Sequence, residues 1–168
     1  MSWRAGGMKS ESKVSKARER RRLVTTVKQA LRDLRVQLSV LNHQVGTRIE
    51  LKDVDLDCLD IVNRYGGLSP SALARLAGLH PATMTGILDR LERGGWAVRE
   101  RDSADRRLVT VRSVRDRSGE LFRHFSGMNA LMDELCGEYS DEQLALIADF
   151  LQRTTGAGRE ATDQLAAG

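Results

Sequence analysis

The stretch from Ser69 to Gly95 narrows the folds open to this chain more than any other feature. Ser69-Pro70 sets a hydroxyl that can cap free helix amides directly before a proline, whose missing N–H costs nothing at the first helical position. A helix therefore starts there, with Leu73, Ala74, Leu76 and Ala77 on its buried side. The turn Gly78-Leu79-His80 then leads to Pro81, and a second helix begins at once with Met84, Ile87, Leu88 and Leu91 inward. Gly94-Gly95 stops it. Trp96 to Arg101 and Leu108 to Arg112 follow as two strands flanking the polar loop Asp102 to Arg107.

Two short helices about a three-residue glycine turn, followed by a hairpin with arginines in its loop, have the order of a winged helix-turn-helix. A major groove about 12 Å wide admits one helix, and the second helix fits it with its N-terminal turn toward the base edges. The expected DNA-contacting residues are Ser69, Ser71 and Arg75 on the first helix, and His80, Ala82, Thr83, Thr85, Gly86 and Arg90 on the second. Asp105, Arg106 and Arg107 join them from the loop. Hydroxyls and free helix-end amides bind phosphates and bases. The plainer alternative is that Thr83 supports the helix start and Arg90 pairs with Asp89 or Glu92 on a solvated face. In the loop, aspartates alternate with arginines, so a carboxylate can hold one guanidinium while another enters the minor groove. Arg106 is the preferred groove residue, with Arg107 held by an aspartate or touching phosphate; a merely solvated charged turn is the alternative.

Around this centre the pattern is helical. Val24, Val27, Leu31, Leu34, Leu38, Leu41 and Val45 alternate three and four apart, a seam that wants a partner helix, either within the chain or in a second subunit. Residues 54–65 give a short helix with Leu56, Leu59 and Val62 inward, ended by Gly66-Gly67. After the hairpin, Leu121, Phe122, Phe125, Met128, Leu131, Met132 and Leu135 share one helix, and Leu144, Ile147, Ala148 and Leu151 another. Ser140 and Gln143 form a capping box between the two. The fold class is thus mainly α with a small β-hairpin. Residues 1–18 are expected as a flexible basic arm, 19–50 as an N-terminal dimerisation helix, 51–114 as the winged helix-turn-helix and 115–168 as C-terminal dimerisation helices.

Charge follows the same division. The net +4 decides little alone, but Lys9, Lys13, Lys16, Arg18, Arg20, Arg21 and Arg22 crowd one end, and Asp141, Glu142, Asp149, Glu160 and Asp163 the other. No run approaches the roughly 18 to 20 apolar residues a membrane span needs, so no membrane role is expected. His43, His80 and His124 are widely separated and the cysteines form no CxxC, so neither a metal site, a cofactor nor an enzyme is expected. Cys58 and Cys136 lie among acidic neighbours, which raise a thiol pKa, and read as small core residues of a reduced, cytoplasmic protein.

From Leu56 to Val111 the chain resembles the multiple antibiotic resistance regulator (MarR) family of winged-helix transcription factors. The most specific part runs from Pro81 through Gly94-Gly95-Trp96, followed by Arg101-Asp102-Ser103-Ala104-Asp105-Arg106-Arg107. The resemblance implies a homodimer whose first and last helices intertwine and whose two winged domains read a pseudo-palindromic operator in double-stranded DNA. It also implies repression of nearby genes, and release by a small-molecule effector bound between the dimer helices and the winged domain. The chain departs from the pattern at Gly86, where the family tends to place a larger polar side chain, and at Ala82, where serine is common. Direct base readout is expected to be weaker for it. A winged-helix module that binds protein, or one that binds DNA without sequence preference, is the competing expectation.

Overall fold

A computed structural model describes residues 7–101, 103, 105 and 108–167, with side chains from Ser15 to Ala166. Six helices and a two-stranded antiparallel sheet follow one another along the described residues: α1 Gly7–Ile49, α2 Asp53–Tyr65, α3 Pro70–Ala77, α4 Pro81–Arg93, β1 Ala97–Arg101, β2 Val109–Ser113, α5 Arg115–Cys136 and α6 Asp141–Ala167. The chain divides into two compact units, Met1–Ser118 and Gly119–Gly168.

In the first unit, the expected caps set the helix starts. Ser69 Oγ accepts the Ala72 N–H at 3.2 Å with Pro70 in the first turn of α3. The Leu79 N–H donates to Ala74 O and closes that helix. Leu56, Cys58, Leu59 and Val62 of α2, Leu73 and Ala74 of α3, and Met84, Ile87, Leu88 and Leu91 of α4 converge with Trp96, Ala97 and Val111 into one core. Leu76 does not join it; the side chain is 43% exposed, because eight residues of α3 make only two turns and the inward positions fall at Leu73 and Ala74.

β1 pairs β2 in the register Ala97↔Ser113 to Arg101↔Val109. Leu68 adds a single rung by exchanging both backbone hydrogen bonds with Val111, at 3.1 and 2.7 Å, so the wing's root is tied to the segment before α3. The Gly94-Gly95 stop has two physical reasons. A Cβ on Gly94 would lie 2.6 Å from Trp96 Cδ1, and Gly95 takes φ +70°, a conformation that suits glycine. Trp96 is then covered by Arg117, whose guanidinium sits 4.3 Å from the ring centroid while its Nη2 donates to Gly94 O at 2.9 Å.

α1 begins at Gly7, so the described part of segment 1–18 continues the helix where a flexible arm was expected. Its Lys, Arg, Glu and Ala residues include no proline and favour helix once a long helix lies behind them to extend. At its other end Val45 is buried, and the Leu51 N–H donates to Gly46 O at 2.9 Å. Glu50 there holds φ +59°, the left-handed position that glycine normally fills.

In the second unit, Ser140 and Gln143 form the expected capping box: the Ser140 N–H donates to Gln143 Oε1 at 2.9 Å and the Gln143 N–H to Ser140 Oγ at 3.3 Å. The Ser140 hydroxyl also donates to Glu142 and lowers that carboxyl's pKa. Leu121 is buried, but many large apolar side chains of this unit are exposed, Leu146 to 70% and Leu165 to 85%.

Replacing Glu50 by glycine is expected to stabilise the protein by about 1 kcal/mol, by relieving left-handed strain that a Cβ imposes. Chemical denaturation of Glu50→Gly beside the parent checks this; a midpoint at or below the parent's would show that α1 ends without strain at this position.

Candidate nucleic-acid interface

The exposed surface of the helix-turn-helix is built outward from one buried carboxylate. Asp55 stands in the first turn of α2 and its side chain is 1% exposed. Its Oδ1 accepts Arg90 Nη2 at 2.6 Å, and its Oδ2 accepts Arg90 Nε at 3.0 Å and the Lys52 backbone N–H at 3.3 Å. A carboxylate taken out of water is thus met by a bidentate guanidinium and a helix-start amide. Arg90, expected among the DNA-contacting residues, is therefore committed to the body of the protein. Its hydrogen bonds raise its own pKa.

Asp89 and Glu92, the alternative partners for Arg90 within its own helix, are taken by Arg99 of β1. Arg99 Nη1 donates to Asp89 and to Glu92, each at 2.7 Å, its backbone N–H to Glu92 at 2.9 Å, and its Nη2 to Thr85 O at 3.3 Å. This clamp fixes the wing's first strand against α4. Across the hairpin Arg112 donates to Glu100 at 2.9 Å and to Gly66 O at 2.7 Å. Neither Asp55 nor Arg99 stands out in the sequence, since an isolated charge in an amphipathic segment does not announce a partner 35 or 7 positions away.

What remains outward on the N-terminal turns of α4 is small. Ala82, Thr83 and Thr85 are exposed. His80 caps the helix through Nδ1, which accepts the Ala82 N–H at 3.2 Å and leaves Nε2 as the protonated nitrogen. Thr85 Oγ1 donates back to Pro81 O at 3.2 Å. A Cβ on Gly86 would meet only Arg90 Nη1, at 3.8 Å, so packing does not demand glycine there. Ser69, Ser71 and Arg75 are exposed on α3, the two hydroxyls 3.2 Å apart. In the wing loop Asp105 accepts the Leu108 N–H through its backbone oxygen at 2.9 Å. Arg106 and Arg107 lie outside the described residues.

A groove of about 380 Å³ lies between α1 and α2, floored by Leu31, Leu34 and Leu38 and edged by Asp53 and Asp57. Burial, then Asp53 and Asp60, raise the Asp57 pKa. Among the described residues no three His, Cys, Asp or Glu side chains are grouped to hold a metal ion, and no helix is long and apolar enough to cross a membrane. Cys58 is fully buried, and desolvation, then Asp55 and Asp57, push its thiol up to about 11.

A helix-turn-helix whose second helix is clamped to a two-stranded wing defines the class: a winged-helix DNA-binding protein. A profile of the MarR family matches residues 51–109. The HTH-type transcriptional regulator YcgE of Bacillus subtilis is 33% identical over 156 residues, covering 90% of this chain and 99% of that protein. The HTH-type transcriptional repressor YetL of the same organism is 30% identical over 90 residues, 51% of this chain and 54% of that protein. This chain belongs to the MarR family of transcriptional regulators. Its fold is that of a MarR family protein from Bacillus stearothermophilus, with TM-score 0.65 at 19% identity over 83% of this chain and 97% of that one. It is also that of MarR from E. coli, with TM-score 0.53 at 19% identity over 79% and 93%.

Truncating the two partners of the buried pair is expected to have unequal costs. Arg90→Ala strands a buried carboxylate and should cost about 3 kcal/mol. Asp55→Ala leaves an arginine already 34% exposed, which can turn to water, and should cost on the order of 1 to 2 kcal/mol. Denaturant midpoints of both variants and the double variant test this; equal single losses would overturn Asp55 as the dependent partner.

The Cys58 thiol makes a separate prediction. With a folded pKa of about 11 against an ordinary 9.0, its contribution to stability is intact below pH 9 and is lost as pH rises from there toward 11. Iodoacetamide at neutral pH should leave Cys58 unmodified until the protein is unfolded; prompt labelling of the native protein at Cys58 would refute its burial.

Proposed function

We propose that this chain is a homodimeric, sequence-specific DNA-binding repressor that inserts α4 into the major groove and the wing into the minor groove of a pseudo-palindromic operator. The observation that carries the reading is the outward surface of α4, with Ala82, Thr83 and Thr85 exposed on a helix fixed from behind by Asp55 and from the side by Arg99. Ser69, Ser71, Arg75 and the His80 Nε2–H flank that surface as phosphate donors. In the loop, Arg106 enters the minor groove, while Arg107 is held by an aspartate such as Asp105 or meets phosphate. Arg90 acts as a positioning residue behind α4.

The dimer rests on the uncovered apolar faces. Val24, Val27, Leu34 and Leu38 of α1 are each about two-fifths exposed, and α5 and α6 expose Phe122, Leu131, Leu146 and Phe150. Rows of exposed apolar side chains on each of these helices call for a partner, and their helical spacing suits further helices. Residues 19–50 and 115–168 serve as the dimerising helices around the 51–114 winged region. The repressing sense is supported by YetL, a transcriptional repressor. A small-molecule effector that releases DNA would bear on the groove between α1 and α2, which joins a dimerising helix to the winged region. The protein acts in the cytoplasm, on DNA, and not as a catalyst.

Fluorescence anisotropy against a duplex carrying the promoter of its own gene, with a scrambled duplex as control and salt varied, tests this. Tight, salt-dependent, sequence-preferring binding is expected, weakened in Arg106→Ala by about 1 to 3 kcal/mol. Light scattering should give twice 18.7 kDa. A monomer mass would remove the dimer, and equal affinity for both duplexes would favour a non-specific DNA-binding module.

A further inference from the structure

The recognition helix of a winged-helix protein commonly reads bases with long polar side chains, since a guanidinium or amide can hold two base-edge atoms at once. On this α4 the long polar groups near the base-facing turns are occupied elsewhere. Arg90 is bound bidentately by Asp55, and Asp89 is bound by Arg99. Arg99 itself is spread over Asp89, Glu92 and Thr85 O. Arg93 lies in the last turn.

The surface left for the groove floor is Ala82, Thr83, Thr85 and Gly86. The Thr85 hydroxyl is turned back onto Pro81 O, so its methyl group is what it offers outward. Gly86 adds no side chain to this surface, and a Cβ there would touch only Arg90 Nη1, at 3.8 Å, so the helix is slim at that turn. A face of methyl groups on a closely docked helix has one matching feature in the major groove: the C5-methyl of thymine, the only apolar group that a base pair presents there.

We propose that α4 specifies its half-site through van der Waals contact between the methyl groups of Ala82, Thr83 and Thr85 and the C5-methyl groups of thymines, and not through bidentate hydrogen bonds to purines. This inference rests on the DNA-binding reading above and adds the chemical class of base that the helix selects. Affinity is carried by phosphate contacts from α3 and His80, and base choice by the methyl face.

The purified protein is used to select duplexes from a random-sequence library, and the dominant half-site is measured by anisotropy with each thymine in turn replaced by deoxyuridine. Deoxyuridine keeps every hydrogen-bonding atom and lacks only the methyl. At the thymines facing α4, binding should weaken about fourfold per methyl, the equivalent of about 0.8 kcal/mol per buried methylene-sized group. Thr83→Ser and Thr85→Ser should abolish the thymine–uracil difference at their positions, whereas Thr83→Val and Thr85→Val should retain it. Selected half-sites without fixed thymines, or uracil bound as well as thymine throughout, would overturn the methyl readout while leaving a sequence-specific DNA-binding protein. Failure to enrich any duplex would overturn the DNA-binding reading itself, and this inference with it.

Discussion

The carboxylate of Asp55 is the constraint around which the winged region is arranged. It sits one turn into α2, nearly sealed from water, and a buried carboxylate left unpaired costs several kcal/mol. The fold satisfies both of its oxygens with one edge of the Arg90 guanidinium, Nε and Nη2, and this sets α4 at one rotation and one distance from α2. Coulomb attraction alone would tolerate sliding; two parallel N–H···O bonds do not. Everything α4 presents to solvent follows from that rotation. Met84, Ile87, Leu88 and Leu91 must then face the core, and Ala82, Thr83 and Thr85 must face away.

The wing is coupled to the same helix by a different chemistry. Arg99 reaches across from β1 to two carboxylates and a carbonyl oxygen of α4, all part-exposed or exposed, so each bond is individually modest. Together with the Leu68–Val111 rung and the Arg117–Trp96 stack, these bonds join hairpin, helix end and α5 start into one body. Helix α4 and the strands of the wing consequently keep a fixed spacing.

Local chemistry made much of this legible in the sequence. Ser69-Pro70, the Gly78 turn, Gly94-Gly95 and the Ser140–Gln143 box each act within a few residues, and the helices start and stop where those signals stand. What the sequence does not display is partner choice over distance. Arg90 has acidic neighbours on both sides within its own helix, and nothing local says that it passes over Asp89 and Glu92 for a carboxylate 35 residues earlier. The reason is burial: only Asp55 among the three is sealed from water, so it gains most from a guanidinium. Helix caps likewise hid in an unusual residue at His80, where an imidazole nitrogen does the work of a serine oxygen. The seam on α1 was visible as a period of three and four, but its destination was not, because periodicity reports an apolar face and not what covers it.

The anchoring of α4 and the smallness of its outward residues belong to one argument. A long arginine can adjust its rotamer and still reach a base edge when the helix shifts by an ångström. Methyl-to-methyl contact has no such reach: a radial gap of 0.5 to 1 Å forfeits a quarter to a half of the dispersion well. A helix that reads with alanine and threonine must therefore be held more firmly than one that reads with arginine, and this helix is bonded to α2 through Asp55, to β1 through Arg99 and to the core through four buried side chains. By withdrawing Arg90 from the outer face and using it as an anchor, the chain exchanges a flexible base-reading group for the rigidity that a methyl-reading face needs.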